Sequence, residues 1–125
     1  MGKFVIKESG KGFSFSLKAG NGEVIATGSK VFNDLDSAKA AIADVTASAP
    51  GAALEDQTAE GFAEEKGAKF ELYSDKAGEF RFRLKNAGGD ILAVSEGYVK
   101  KDSAKNGIES VRKNAADSPV VEAEA

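Results

Sequence analysis

The sequence predicts an α+β fold made from two tandem copies of one β-β-β-α-β unit. Three observations carry this. First, the chain repeats itself: "KFVIKESGKGFSFSLKAGNGEVIATG" pairs with "KFELYSDKAGEFRFRLKNAGGDILAVS", and "SAKAAIADV" pairs with "SAKNGIESV", at an offset of 66 or 67. Second, Phe13, Phe15 and Leu17 alternate with Ser14 and Ser16, as Phe80, Phe82 and Leu84 alternate with Arg81 and Arg83. Period two is the mark of a strand with one face turned inward. Third, Ala38, Ala41, Ile42 and Val45 fall at helical spacing, as do Ala104, Gly107, Ile108 and Val111.

Each unit of about 55 residues is marginal for folding alone, so two units are expected to share one core. The first strands are expected over Phe4–Lys7 and Phe70–Tyr73. Gly-containing turns, "SGKG" and "DKAGE", lead into the alternating strands. Asn21-Gly22 is a strong hairpin signal, answered by "AGGD" in the second copy. The third strands are "EVIAT" and "DILAV". Asp36-Ser37 and Asp102-Ser103 supply side-chain oxygens for helix caps. Gly107 in mid-helix costs about 1 kcal/mol against Ala, and close packing on the sheet is the expected reason; Ala41 stands in the sister position. Pro50 and Pro119 follow the helices, and "AALE" and "VVEA" read as short fourth strands. The boundaries that follow are one compact domain over 1–125, with repeat 1 at 3–55, a polar linker at 56–68 and repeat 2 at 69–122. The terminal "EAEA" is expected to fray. Phe4, Ile6, Phe13, Phe15, Leu17, Ile42 and Val45 are the expected core of the first copy, and Phe70, Leu72, Phe80, Phe82, Leu84, Ile108 and Val111 that of the second.

The second copy, with "GEFRFRLK" and "EGYVKKDSAKNGIESVRKNA", resembles the YegP-like family of small bacterial and archaeal proteins. The resemblance covers most of residues 69–118 and is looser over 3–55. It implies a single antiparallel sheet with both helices on one face and pseudo-twofold symmetry. It also implies that the last strand of each repeat is swapped onto the other. It implies no activity, since the family is largely uncharacterised.

Composition narrows the function. The chain is 42% hydrophobic and 30% charged, with a formal net charge of -3 and a pI of about 5.1. A dedicated nucleic-acid domain is usually strongly basic. There is no Cys and no His. That removes disulfides, thiolate nucleophiles, the commonest general base and the commonest transition-metal ligand. No catalytic residues, metal ligands or cofactors are assigned. "NDLD" lacks EF-hand spacing, because Val45 stands at position twelve counted from Asp34. "GKG" and "NAGGD" lack the Lys-Ser/Thr of a phosphate loop. The N-terminus has no apolar signal region, and no apolar run approaches the roughly 20 residues of a membrane helix. Gly2 is no myristoylation signal, because Ile6 stands where Ser or Thr is needed. A cytoplasmic protein without membrane contact is expected.

"KGFSFSLK" resembles the aromatic octamer of RNA-recognition domains. It precedes any helix, however, and its Phe residues alternate with Ser, so burial beneath a helix is the expected use of the rings. The candidate binding face lies in the second copy: Arg81, Arg83 and Lys85 point one way, with Tyr73 beside them. Tyr98, after the third strand, is expected to pack over the strand end, with a small groove at the sheet edge as the alternative, and Asn106, near the helix start, completes the candidates. Residues 69–118 hold ten Lys/Arg against eight Asp/Glu. A solvated face with cross-strand Glu–Arg pairs is favoured over binding there. The leading function is a non-enzymatic interaction or accessory module with a protein partner. Weak nucleic-acid or anion binding on the outer face of repeat 2 is the alternative, and a small-molecule enzyme comes third. A monomer is expected, with a strand-swapped dimer as the other oligomeric state.

Overall fold

The computed structural model describes residues 2–122. The element order is β1 (Lys3–Ser9), β2 (Gly12–Lys18), β3 (Val24–Gly28), α1 (Leu35–Ser48), β4 (Ala53–Asp56), β5 (Lys69–Ser74), β6 (Phe80–Lys85), β7 (Ile91–Val94), α2 (Lys101–Asp117) and β8 (Val120–Glu122). All eight strands form one sheet, ordered β4-β5-β6-β7-β3-β2-β1-β8. Each last strand therefore leaves its own repeat: β4 pairs with β5 of repeat 2, and β8 with β1 of repeat 1.

The swap makes the sheet mixed rather than wholly antiparallel. The six inner strands run antiparallel, but β4 and β8 lie parallel to their neighbours. A helix separates β3 from β4 and β7 from β8, and a helical crossover can return the chain in either sense, which a tight hairpin cannot. The two repeats meet through two residue pairs, Thr27↔Val94 and Gly28↔Ala93. Ser29 reinforces this seam, its hydroxyl donating to the Ile91 carbonyl at 2.6 Å.

The inner face is the core. Phe4, Ile6, Phe15 and Leu17 are buried with Ile42 and Val45 of α1, and Phe70, Leu72, Phe82 and Leu84 with Ile108 and Val111 of α2. Phe13 and Phe80, expected inside, are only half-buried at the strand ends, where they pack against the core. Each forms a bridge to the segment before a helix, Phe13 to Phe32 and Phe80 to Tyr98. The bulges after Leu17 and Leu84 insert Ile25 and Leu92, which join the core.

The helix starts differ from expectation. Asp34, not Asp36-Ser37, caps α1, accepting the Ser37 N–H at 2.7 Å. That hydrogen bond holds the Asp34 carboxyl below the usual range. Lys100 stands at the N-cap of α2 and makes no side-chain cap, and Asp102 lies within the first turn. Both helices begin two or three residues earlier than the Asp-Ser pairs suggest. Gly107 has the expected cause. A Cβ there would lie 2.6 Å from Tyr98 Oη and 3.0 Å from Phe82 Cε2. Asp56 ends β4 rather than opening the linker, and Glu122 pairs with Ile6 in β8 rather than fraying. The remainder of "EAEA", residues 123–125, lies outside the described residues.

Candidate functional site

Strand parity divides the six candidate residues among three places. Tyr73, Arg81, Arg83 and Lys85 share the outer face of β5 and β6, away from the helices. Tyr98 lies on the helix side, its ring stacked on Phe82 with centroids 6.3 Å apart. Asn106 is exposed on α2. The structure therefore assembles four of the six and leaves the other two elsewhere.

The outer face of repeat 2 is an ion-pair lattice. Arg83 Nε donates to Glu71 Oε1 at 2.5 Å, and its guanidinium lies 4.9 Å from the Tyr73 ring centre. Lys85 Nζ lies 3.3 Å from Glu71. Arg81 Nε donates to Asp75 at 2.6 Å. Two residues outside the candidate set complete the lattice. Lys69 Nζ sits 2.8 Å from Glu55 and 3.3 Å from Glu71. Glu55 also accepts from Gln57 Nε2 at 2.6 Å and from the Glu65 N–H at 2.8 Å, so the linker closes over it.

The centre of this lattice is dry. Glu55 is 2% exposed, Glu71 3% and Lys69 9%. It is not the solvated face that alternation suggests. Burial pushes the Glu55 carboxyl up, but the donors from Lys69, Gln57 and Glu65 outweigh it and lower its pKa to about 2. Burial also raises Glu71, and Arg83 and Lys85 bring it below its ordinary value. Arg81, with the Glu79 N–H, holds Asp75 down, and Asp75 in turn raises Arg81. Glu55 holds Lys69 above its ordinary value despite some desolvation. At the linker start, burial raises Asp56, but Lys101 Nζ at 2.6 Å and Thr58 lower it on balance. Lys101, the first residue of α2, thus ties that helix to the end of β4.

Glu55 and Lys69 escaped sequence reasoning because β4 is remote from β6 in the chain. The signal was the swap itself: a fourth strand paired with β5 brings Glu55 beside Lys69 and Glu71.

The two repeats also form a pair of related clefts at the seam. One, of about 430 Å³, is lined by Glu23, Val24, Ile25, Glu96, Gly97 and Tyr98. The other, of about 300 Å³, lies between Phe32, α1 and the β6–β7 hairpin. Tyr98 thus lines a cleft between repeats rather than one at the sheet edge. Burial, and then the charges of Glu96 and Glu23, raise its phenol pKa.

Residues 8–56 and 75–122 match the family described as "Domain of unknown function (DUF1508)". The chain belongs to this family. A UPF0339 protein of Treponema denticola is 57% identical over 54 residues, which are 43% of this chain and 93% of that protein. A single repeat's length is thus nearly the whole of that relative. The solution NMR structure of yegP from E. coli, a protein of unknown function, matches with a TM-score of 0.77 at 32% identity, covering 97% of this chain and 91% of that one. UPF0339 protein SO3888 from Shewanella oneidensis gives 0.76 at 27% identity, covering 97% and 90%. The resemblance read from the second copy and the tandem α+β architecture are both borne out.

Proposed function

We propose that this chain is a non-enzymatic interaction module of the cytoplasm, acting on a protein partner as a monomer with internal pseudo-twofold symmetry. The observation that carries the reading is the direction in which the carboxylates move. Glu55, Asp56, Glu71 and Asp75 all lie below their ordinary pKa values, each held by a cation and most by N–H donors as well. A general acid or base works best with a pKa near the operating pH. These groups are fixed in the charged form, as structural ion pairs require. Among the described residues no helix is long and apolar enough to cross a membrane.

The test is quantitative capture. The tagged chain is incubated with lysate of its native host and competed with excess untagged chain. A stoichiometric partner displaced by the competitor is expected. Reproducible turnover in a substrate panel, lost on substitution of a single polar residue, would overturn the reading.

A second reading is weak anion or nucleic-acid binding on the outer face of repeat 2. Tyr73 beside Arg83 favours it, as an aromatic platform next to a cation. Glu71 and Asp75 oppose it, because they already occupy the guanidinium groups. Titration of labelled single-stranded RNA and DNA at low salt decides. Binding must occur and must weaken when Arg81→Ala and Arg83→Ala are combined.

A further inference from the structure

The outer face carries one continuous row across the whole sheet: Glu55, Glu71, Arg83 and Val94 in the strands of one half, then Thr27, Ser16, Val5 and Val121 in the other. Pseudo-twofold symmetry makes the two halves direct counterparts. Val5 stands where Glu71 stands in repeat 2, and Val121 where Glu55 stands. The lysines beside them are kept: Lys3 for Lys69 and Lys18 for Lys85.

Lys3 lies directly opposite Lys18, as Lys69 lies opposite Lys85. Like charges directly opposite in a sheet are destabilising. In repeat 2 Glu71 sits between the two ammonium groups, 3.3 Å from each. In repeat 1 that position is an aliphatic side chain. Lys7 adds a third positive charge on the same face. Among the described residues no ion pair involves Lys3, Lys7 or Lys18. The outward residues of β1 and β2 include no carboxylate. The unneutralised basic surface is therefore on repeat 1, opposite to the half in which residue counting places it.

We propose that the outer face of repeat 1 docks an acidic, extended segment of a partner protein, whose carboxylates lie over Val5 beside Lys3 and Lys18, as the Glu71 carboxylate lies between Lys69 and Lys85 in repeat 2. The inference rests on the interaction-module reading and assigns its surface. Two features select this occupant. Repeat 2 shows that a carboxylate between paired lysines is the group this geometry fits. The aliphatic side chains of Val24 and Val121, 37% and 40% exposed, suit a peptide with alternating apolar residues. A nucleic acid finds no aromatic side chain among the outward residues of β1 and β2 on which a base could stack.

The probe is a short fluorescein-labelled peptide alternating Glu and Val, followed by anisotropy. A Lys-Val peptide and a single-stranded oligothymidine serve as controls. The wild-type chain should bind the acidic peptide and lose affinity as salt rises. Val5→Glu supplies the sister carboxylate from within and should weaken binding roughly tenfold, about one strong charge contact. Lys3→Gln with Lys18→Gln should do the same without placing a charge at a buried position. Lys85→Gln in repeat 2 should leave binding unchanged. Thermal melts show that each variant is folded.

Absence of peptide binding at low salt overturns the proposal, as does binding that ignores Val5→Glu and the double Lys variant. Tighter binding of oligothymidine, lost in the same variants, also overturns it. So does concentration-dependent self-association removed by Val5→Glu, because the occupant would then be a second copy. If Val5→Glu leaves partner capture from lysate intact, this surface assignment fails while the interaction-module reading stands. Turnover in the substrate panel would fail that reading without touching the peptide result.

Discussion

Glu55→Gln is the sharpest probe of the buried ion-pair lattice. Glu55 is 2% exposed, and its pKa falls from 4.5 to about 2 on folding. One pKa unit corresponds to about 1.4 kcal/mol, so at neutral pH ionisation of this one carboxyl stabilises the fold by about 3 kcal/mol. The sign follows from the direction of the shift. A depressed carboxyl stabilises above its unfolded pKa and loses that contribution as pH falls through the folded value. The stabilisation is thus full at pH 7, about 1.4 kcal/mol by pH 3, and about 0.4 kcal/mol at pH 2. Glu55→Gln removes the charge and keeps the shape. Lys69 retains Glu71 at 3.3 Å, which places the cost below that of a fully orphaned charge. Urea denaturation of wild type and variant across this range should show a difference of about 2–3 kcal/mol at pH 7 that shrinks below about 1 kcal/mol near pH 3. A difference independent of pH would refute the account, because the cost would then come from shape or from the neutral hydrogen bonds.

Gly107→Ala should destabilise by about 1–2 kcal/mol despite its better helix propensity, because the new methyl meets Tyr98 Oη. Adding Tyr98→Phe recreates the Ala41–Phe32 pairing of repeat 1 and should restore most of the loss in a double-mutant cycle read by denaturation. Asp34→Ala should cost about 1 kcal/mol through the lost cap, whereas Lys100→Asp should gain about 0.5–1 kcal/mol by capping α2; both are read as shifts in thermal midpoint. Phe70→Ala, at a fully buried position, should cost about 3–5 kcal/mol and show as a large fall in urea midpoint.

The inner face was legible because its signal is local. Phe15 and Leu17 announce a strand by period two, Ile42 and Val45 a helix by period 3.6, and the repeat confirms both by saying them twice. The swapped edges were legible through the family resemblance; their parallel sense depended on how each crossover returns, which the residues of β4 and β8 do not encode. The helix caps were misplaced because Asp34 and Asp36 offer the same oxygen, and backbone geometry chose between them. The candidate site was half legible. Alternation put Arg81, Arg83 and Lys85 on one face with Glu71 opposite, but the Lys69–Glu55 pair that completes the lattice needs Glu55, which arrives from a strand of the other repeat. Tyr98 was expected over the strand end; its ring instead stacks on Phe82 beside Gly107, a contact between the third strand's exit and a helix that neither period reveals.

The two copies have diverged unevenly, and where they differ is informative. On the inner face the pairs are Phe4 and Phe70, Ile6 and Leu72, Phe15 and Phe82, Leu17 and Leu84, Ile42 and Ile108, Val45 and Val111. All are apolar, and most are identical, because a shared core at interior packing density tolerates little change in volume. On the outer face Val5 answers Glu71, Ser14 answers Arg81, Ser16 answers Arg83 and Val121 answers Glu55. The half-sheet around β1 thus lacks two carboxylates and two guanidinium groups that the other half carries, and yet Lys3 and Lys18 survive there. The result is a half-sheet whose positive charges have lost the internal partners they have in the other half, and a partner's carboxylates are the chemistry that restores the balance.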